Sequence, residues 1–257
     1  MNDMSAISMK NIAQAGQRYL EDEQKIIYLT SSEPLKYDTN KWVYKTLPTL
    51  EQWHQDMAQQ FKLHKQQSSN HLAFTFPENE SLNQTWLSEI KNEGFQLGVL
   101  ELYIIEGTEL ARFKQRPDIT IRRVDDNNIE DYLTIYHSFA LPYGEDFANE
   151  SVNSTRKTIL NKEDAVSRCV AYLEGKAVGT VDVIETDETV EIDSFGVLEG
   201  YQRQGIGTTI QSYIGEIAGE RPVILVADGE DTAKDMYIKQ GYTYQSFIYH
   251  IVKENVE

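Results

Sequence analysis

The sequence predicts a two-unit α/β protein: a smaller α/β unit first, then an α+β domain around a central mixed, largely antiparallel sheet. Three observations carry this expectation. Apolar periodicity gives the element order β-β-α-β-α-β up to residue 106 and β-α-α-β-β-β-α-β-α-β from residue 118 onward. A polar segment ending in proline, 106–117, separates the two series and reads as a linker or a loop between domains. One strand-to-helix junction in the second series, 202–208, carries two glycines among polar residues.

A chain of 257 residues is long enough for two domains of ordinary size. The hydrophobic fraction of 40% and charged fraction of 25% are those of globular proteins, so each domain can bury a core. The first residues carry no basic stretch followed by an apolar run, and no segment approaches the ~20 apolar residues of a membrane span. A cytoplasmic protein without membrane contact is therefore expected. The single cysteine, Cys169, leaves no intramolecular disulfide and no multi-cysteine zinc site, and its apolar neighbours place it in the core. No metal is expected. A net charge of −17 opposes binding to nucleic acid, whose phosphates are held by clustered Lys and Arg. Such acidity keeps a protein soluble and also concentrates cationic ligands such as amines.

In the first series the N-terminal residues, to about 23, are weakly patterned and read as at most a short frayed helix. Residues 25–30 and 41–46 read as strands on either side of a turn with Pro34, Asp38 and Asn40. A helix follows with Thr49 as N-cap, Gln52 three residues on, and Leu50, Trp53, Met57 and Phe61 at helical spacing. His54 and His64 lie on or beside it without ligand-spaced partners, as surface or core-edge residues. A strand over 71–76, a helix over 82–92 and a strand over 95–105 complete the series.

In the second series the strand over 119–124 leads into a helix capped by Asn127 or Asn128 and carrying Ile129, Tyr132, Leu133 and Tyr136. Residues 141–148 break it, and a second helix runs through Val152 and Ile159. Strands over 169–173 and 177–184 form a hairpin around Glu174, Gly175 and Lys176. A strand over 190–197, the glycine junction, a helix with Ile206, Ile210, Ile214 and Ile217 on one face, a strand over 223–226, a helix over 232–240 and a strand over 242–252 follow. The two series are also partial copies: a strand, a helix and Gly94-Phe95 in the first match a strand, a helix and Gly241-Tyr242 in the second.

At the glycine junction, Gln202-Arg203-Gln204-Gly205-Ile206-Gly207-Thr208, the first helical N–H groups have no intrahelical acceptor and the helix dipole adds partial positive charge. That is an anion site. No lysine follows Gly207, which excludes a Walker loop, and Ile210 stands where a dinucleotide fingerprint needs a small residue.

With Gln202, Gly205 and Gly207 in its three defining positions, the loop resembles the Gln/Arg-x-x-Gly-x-Gly/Ala signature of the GNAT N-acyltransferases. Val197 upstream, and Ala233, Tyr237, Gly241 and Tyr242 downstream, extend the resemblance over the residues from 118. Two positions depart from the family: Glu230 replaces an asparagine, and Leu198-Glu199-Gly200 replaces a proline. The resemblance implies residues 118–257 as a catalytic GNAT domain of the acyl-CoA N-acyltransferase fold. Residues 1–115 then form a degenerate GNAT-like domain, in which Thr46-Leu47-Pro48-Thr49 occupies the loop position with no glycine.

What the resemblance implies about chemistry is specific. Acetyl-CoA is the cosubstrate, its pyrophosphate at Gln202, Arg203, Gln204, Gly205, Ile206, Gly207 and Thr208 and its pantetheine arm along the main chain of Phe195 and Val197, as an added strand would lie. Gly196 eases a bulge between them. Tyr237 takes the general-acid position, and Glu191 or Asp193 serves as base, both facing the substrate if no bulge intervenes before Phe195. Tyr143, Glu145 and Asp146 fall in the variable acceptor region and suit an ammonium group or an ordinary polar loop. The expected function is acetyl transfer from acetyl-CoA to a primary amine of a small molecule by direct attack in a ternary complex. A protein or peptide acetyltransferase and a non-catalytic acyl-CoA-binding module are the alternatives. The expected assembly is a monomer with an internal pseudo-dimer, or a homodimer.

Overall fold

The computed structural model describes residues 4–162, 165–229 and 233–256. Its strands are β1 (Arg18–Glu21), β2 (Lys25–Tyr28), β3 (Trp42–Tyr44), β4 (Leu72–Thr75), β5 (Gln96–Glu106), β6 (Ile119–Arg123), β7 (Val166–Leu173), β8 (Lys176–Glu185), β9 (Val190–Val197), β10 (Pro222–Asp228) and β11 (Thr243–Lys253). Its helices are α1 (Leu50–Gln66), α2 (Gln84–Asn92), α3 (Gly107–Leu110), α4 (Ile129–Ala140), α5 (Glu145–Asn161), α6 (Ile206–Ala218) and α7 (Ala233–Gln240). The chain forms two compact units, each discontinuous in sequence. One holds Met1–Ala13, Leu102–Val226 and Tyr237–Gln245; the other holds Gln14–Glu101, Ala227–Met236 and Ser246–Glu257. Strands β5, β10 and β11 each divide their residues between the units.

In the larger unit the strand order is β10-β9-β8-β7-β6. Neighbours are antiparallel except β9 and β10, which run parallel because α6 crosses between them. The β7–β8 hairpin turns at Glu174 and Gly175, both at positive φ, as a two-residue hairpin needs. Ile129, Tyr132, Leu133 and Ile135 of α4 pack against Val170 and Tyr172 of β7. On α6 the buried apolar face is Ile206, Ile210, Ile214 and Ala218. The expected linker at 106–117 is instead packed structure. Leu110 of α3 is fully buried, and Gly215 of α6 lies so close that a Cβ there would overlap the backbone of Leu110 and Ala111.

In the smaller unit the order is β1-β2-β3-β4-β11, with β3 and β4 parallel about the α1 crossover. Its core gathers Trp42, Trp53, Phe74, Phe76, Trp86 and Phe95. Thr49 caps α1 by accepting the Gln52 N–H at 3.1 Å. The face α1 buries is only partly the apolar one. Trp53 is buried, but the other fully buried positions are Asp56, Gln60 and His64, spaced four apart. Asp56 accepts from Lys25 Nζ (2.6 Å) and Tyr44 OH (2.8 Å), Gln60 bonds both backbone groups of Ala73, and His64 Nδ1 lies 2.7 Å from His71 O, while its Nε2 is buried without a hydrogen-bond partner among the described residues. His64 is thus deep in the core rather than at its edge.

Among the described N-terminal residues there is no frayed α-helix. Two 3-10 turns, Met4–Ala6 and Met9–Asn11, precede an exposed edge strand, β1. The repeated glycines behave alike: Gly94 and Gly241 have φ of 78° and 100°, and the following N–H reaches back to Ile90 O (3.0 Å) and Tyr237 O (3.0 Å) respectively. Both close their helices as left-handed caps.

Candidate active site

The glycine junction starts α6 in the larger unit. Gly205 is its N-cap, at φ 80°, and no side chain caps the helix. Thr209 N–H is the first to find an intrahelical partner, Gly205 O at 3.0 Å, so the N–H groups of Ile206, Gly207 and Thr208 end the helix without intrahelical acceptors. Arg203 also takes positive φ, 58°, a strained choice for a side-chain-bearing residue. The loop is braced from outside: Gln202 Nε2 donates to Val197 O (3.0 Å) and Gln204 Nε2 to Gly200 O (3.1 Å). Arg116, which sequence reasoning missed, donates to Gln204 O (2.8 Å) and through its N–H to Thr209 Oγ1 (3.0 Å). Its remaining guanidinium nitrogens pair with Asp118, so it holds the loop's shape. Nothing in its local sequence signals a partner 88 residues away.

Beside this loop β9 and β10 part company. Their register runs through Val190–Val223, Glu191–Ile224 and Ile192–Leu225, and among the described residues no later pair joins them. The stretch from Asp193 to Val197 is thus not paired with β10, and Phe195 and Val197 lie in it, the Val197 carbonyl being held by Gln202 Nε2.

A bulge decides which side chains face which way. Asp182 of β8 pairs with Arg168 on β7 and Asp193 on β9, and Tyr132 of α4 donates to Asp182 at 2.7 Å. Asp193, and Glu191 two residues before it, therefore face α4. Between Thr180 and Asp182 the register slips, so that Thr180 opposes Gly196 and β9 holds one extra residue. Beyond it the alternation reverses. Gly196 faces α4, where a Cβ would overlap the Phe139 ring, while Phe195 and Val197 turn to α6, 3.3 Å and 3.8 Å from where a Gly207 Cβ would stand. The positive φ of the bulge is carried by Ser194 (46°), so Gly196 serves the approach of Phe139 rather than the bulge itself.

The two carboxylates differ. Glu191 is buried, and its Oε2 accepts the Ala13 N–H at 2.8 Å, tying the N-terminal turns to β9. Asp193 is exposed, and its Oδ1 accepts the Ser194 N–H at 2.7 Å, steadying the bulge. Tyr237, on α7, is 9% exposed, with its ring 5.3 Å from that of Tyr242 and 6.3 Å from that of Tyr103. Tyr143 ends a 3-10 turn and is 78% exposed; Glu145 and Asp146 open α5 after Gly144, at φ 115°. Cys169 is buried, which pushes its thiol up to about 11 and fits a packing role. Glu230 lies outside the described residues. Among the described residues no helix is long and apolar enough to cross a membrane.

The arrangement combines an uncapped helix N-terminus, glycines that let an anion approach, and a splayed strand not paired with β10 beyond Ile192. It suits a ligand with a pyrophosphate at one end and a peptide-like chain leading from it.

Comparison with known proteins accords with this. Residues 132–242 match the acetyltransferase (GNAT) family, and residues 7–103 match a domain of unknown function, DUF5613. A conserved protein of unknown function from Staphylococcus epidermidis ATCC 12228 is 51% identical and superposes with a TM-score of 0.93, covering 98% of this chain and 100% of that one. A GCN5-related N-acetyltransferase from Kribbella flavida shares 14% identity and a TM-score of 0.59, over 92% of this chain and 89% of that one. A tandem GNAT protein from the clavulanic acid biosynthesis pathway shares 10% identity and a TM-score of 0.56, over 84% of this chain and 76% of that one. At these identities the last two speak for the fold alone. No curated protein matches the chain.

Proposed function

Because the chain belongs to one family with the S. epidermidis protein, and its residues 132–242 to the acetyltransferase (GNAT) family, we propose that this acyltransferase moves an acetyl group from acetyl-CoA to a primary amine of a small molecule. The observation that carries the reading is the uncapped α6 N-terminus beside the unpaired length of β9.

The residues fit acetyl-CoA. The N–H groups of Ile206, Gly207 and Thr208 are placed for the pyrophosphate, with Gln202, Arg203, Gln204 and Gly205 forming the loop before them. The main chain at Phe195 and the N–H of Val197, not paired with β10, suit the amides of the pantetheine arm, the Val197 carbonyl being held by Gln202. The thioester supplies the activated acyl group. The amine nitrogen attacks its carbonyl carbon, the C–S bond breaks, and two protons must move. Asp193 has an open side and is the better placed carboxylate to accept the amine's proton, directly or through water. Glu191, held by the Ala13 N–H, supports that face of the strand. The Tyr237 hydroxyl donates to the departing thiolate.

The test is a panel of primary amines and peptides incubated with the purified full chain and acetyl-CoA, read by free thiol. Thiol release with a small amine and acetylated product of the expected mass support the reading. Turnover of peptides alone points to a protein acetyltransferase. Acetyl-CoA binding without turnover of any acceptor points to a non-catalytic module.

A further inference from the structure

Outside this chemistry, the smaller unit brings three metal-ligating side chains together. His54 lies on α1. Glu89 lies on α2, and Glu93 is that helix's C-cap, one turn on, so their carboxylates share one face. His54 Nε2 is 2.9 Å from Glu89 Oε1 and 3.9 Å from Glu93 Oε1, and one ligand atom from each residue lies within 4.8 Å of the others. No such grouping is visible in the sequence, where 35 residues separate His54 from Glu89.

We propose that His54, Glu89 and Glu93 bind a divalent transition-metal cation, zinc in the first instance, which joins α1 to α2. Two like charges four apart on a helix repel, and a cation between them removes that cost. The imidazole atom facing them is shielded from solvent yet makes no aligned hydrogen bond, so a simple His–Glu hydrogen bond does not account for its position. The three side chains are between 28% and 40% exposed, open enough for an ion and a bound water to enter. Their helices are fixed beneath them by the Trp53–Trp86 contact, with ring centroids 5.3 Å apart. One imidazole nitrogen and two carboxylate oxygens, with a water in the fourth place, make a tetrahedral set for Zn2+. Mg2+ and Ca2+ prefer all-oxygen shells of six or more ligands and are disfavoured here.

The experiment uses untagged full-length protein stripped with chelator, titrated calorimetrically with ZnCl2 or MgCl2 and followed by thermal unfolding. The expected result is one Zn2+ per chain, a higher Tm with Zn2+, and no response to MgCl2. In His54→Ala and in the near-isosteric Glu93→Gln, both with unchanged circular dichroism, the affinity should fall ~10-fold or more and the Tm shift should vanish. The proposal is overturned if Zn2+ does not bind, or if it binds both variants as tightly as the parent. It is equally overturned if the variants only lower the Tm of metal-free protein, since the cluster is then an ion pair and nothing more.

Discussion

The two parallel strand-to-helix crossovers have the same topology and opposite chemistry. In the larger unit β9 runs on past its last pair with β10, and α6 starts at a positive-φ glycine with no side chain over its N–H groups. In the smaller unit β3 ends at Tyr44, within one residue of its last pair with β4, and α1 starts under the hydroxyl of Thr49. The helix bodies differ in degree: α6 buries Ile206, Ile210 and Ile214 beside Thr209, Gln211 and Ser212, whereas on α1 Trp53 is joined only by Asp56, Gln60 and His64, each bonded within its own unit. What separates a ligand site from a structural joint is therefore small. A strand several residues longer and a missing cap leave backbone groups open in one case, and a threonine closes them in the other.

The largest effect expected from breaking the active junction's chemistry is at Tyr237. If its hydroxyl protonates the leaving thiolate, Tyr237→Phe lowers kcat by ~10- to 1,000-fold and changes the KM for acetyl-CoA much less. Steady-state kinetics with a paired Tm measurement decide it, because a packing role would show in Tm and spare kcat.

The buried histidines of the smaller unit predict acid lability there. Burial, with His64 beside it, holds the His71 imidazole down at about 4, and burial likewise lowers His64 and His250. The unfolded chain then binds more protons than the folded one between about 6.5 and 4. Stability is full above that window and is lost as pH falls through it, by about 3 kcal/mol from His71 alone. Urea unfolding at pH 7, 5.5 and 4 should show this slope, and His71→Gln should flatten it. An unchanged slope in that variant would place the acid sensitivity elsewhere.

The smallest effect tests the cap. Thr49→Ala removes the acceptor for the Gln52 N–H and should cost about 1 kcal/mol in urea unfolding. Acetyl-CoA affinity should not change, since the ligand site is at the other crossover.

What could be read from the sequence was what is local. The Thr49 cap, the Gly94 and Gly241 helix ends and the glycine loop at 202–208 each depend on a few consecutive residues, and the structure has all of them. Contacts that join distant residues left no trace. The Ala13 N–H that occupies Glu191 lies 178 residues from it, and Arg116 braces a loop 88 residues on. The segment 106–117 reads as a linker because it is polar and ends in proline, yet Leu110 is buried where Gly215 admits it. The polar stripe on α1 is illegible for a different reason: periodicity rewards apolar residues, and Asp56, Gln60 and His64 are buried by virtue of partners on other elements. A bulge is expected at Gly196, but it falls at Ser194, where no glycine marks its positive φ.

The central claim is that acetyl-CoA binds at the α6 junction and not at the α1 junction. Calorimetric titration of acetyl-CoA into the full chain, into Gly207→Asp and into Thr49→Asp tests it directly. A carboxylate at the α6 N-terminus repels the pyrophosphate and blocks its approach, while at Thr49 it replaces one good cap with another. The account predicts one site per chain, abolished in Gly207→Asp with its fold intact and unaltered in Thr49→Asp. A site that survives Gly207→Asp, or one lost in Thr49→Asp, would contradict it.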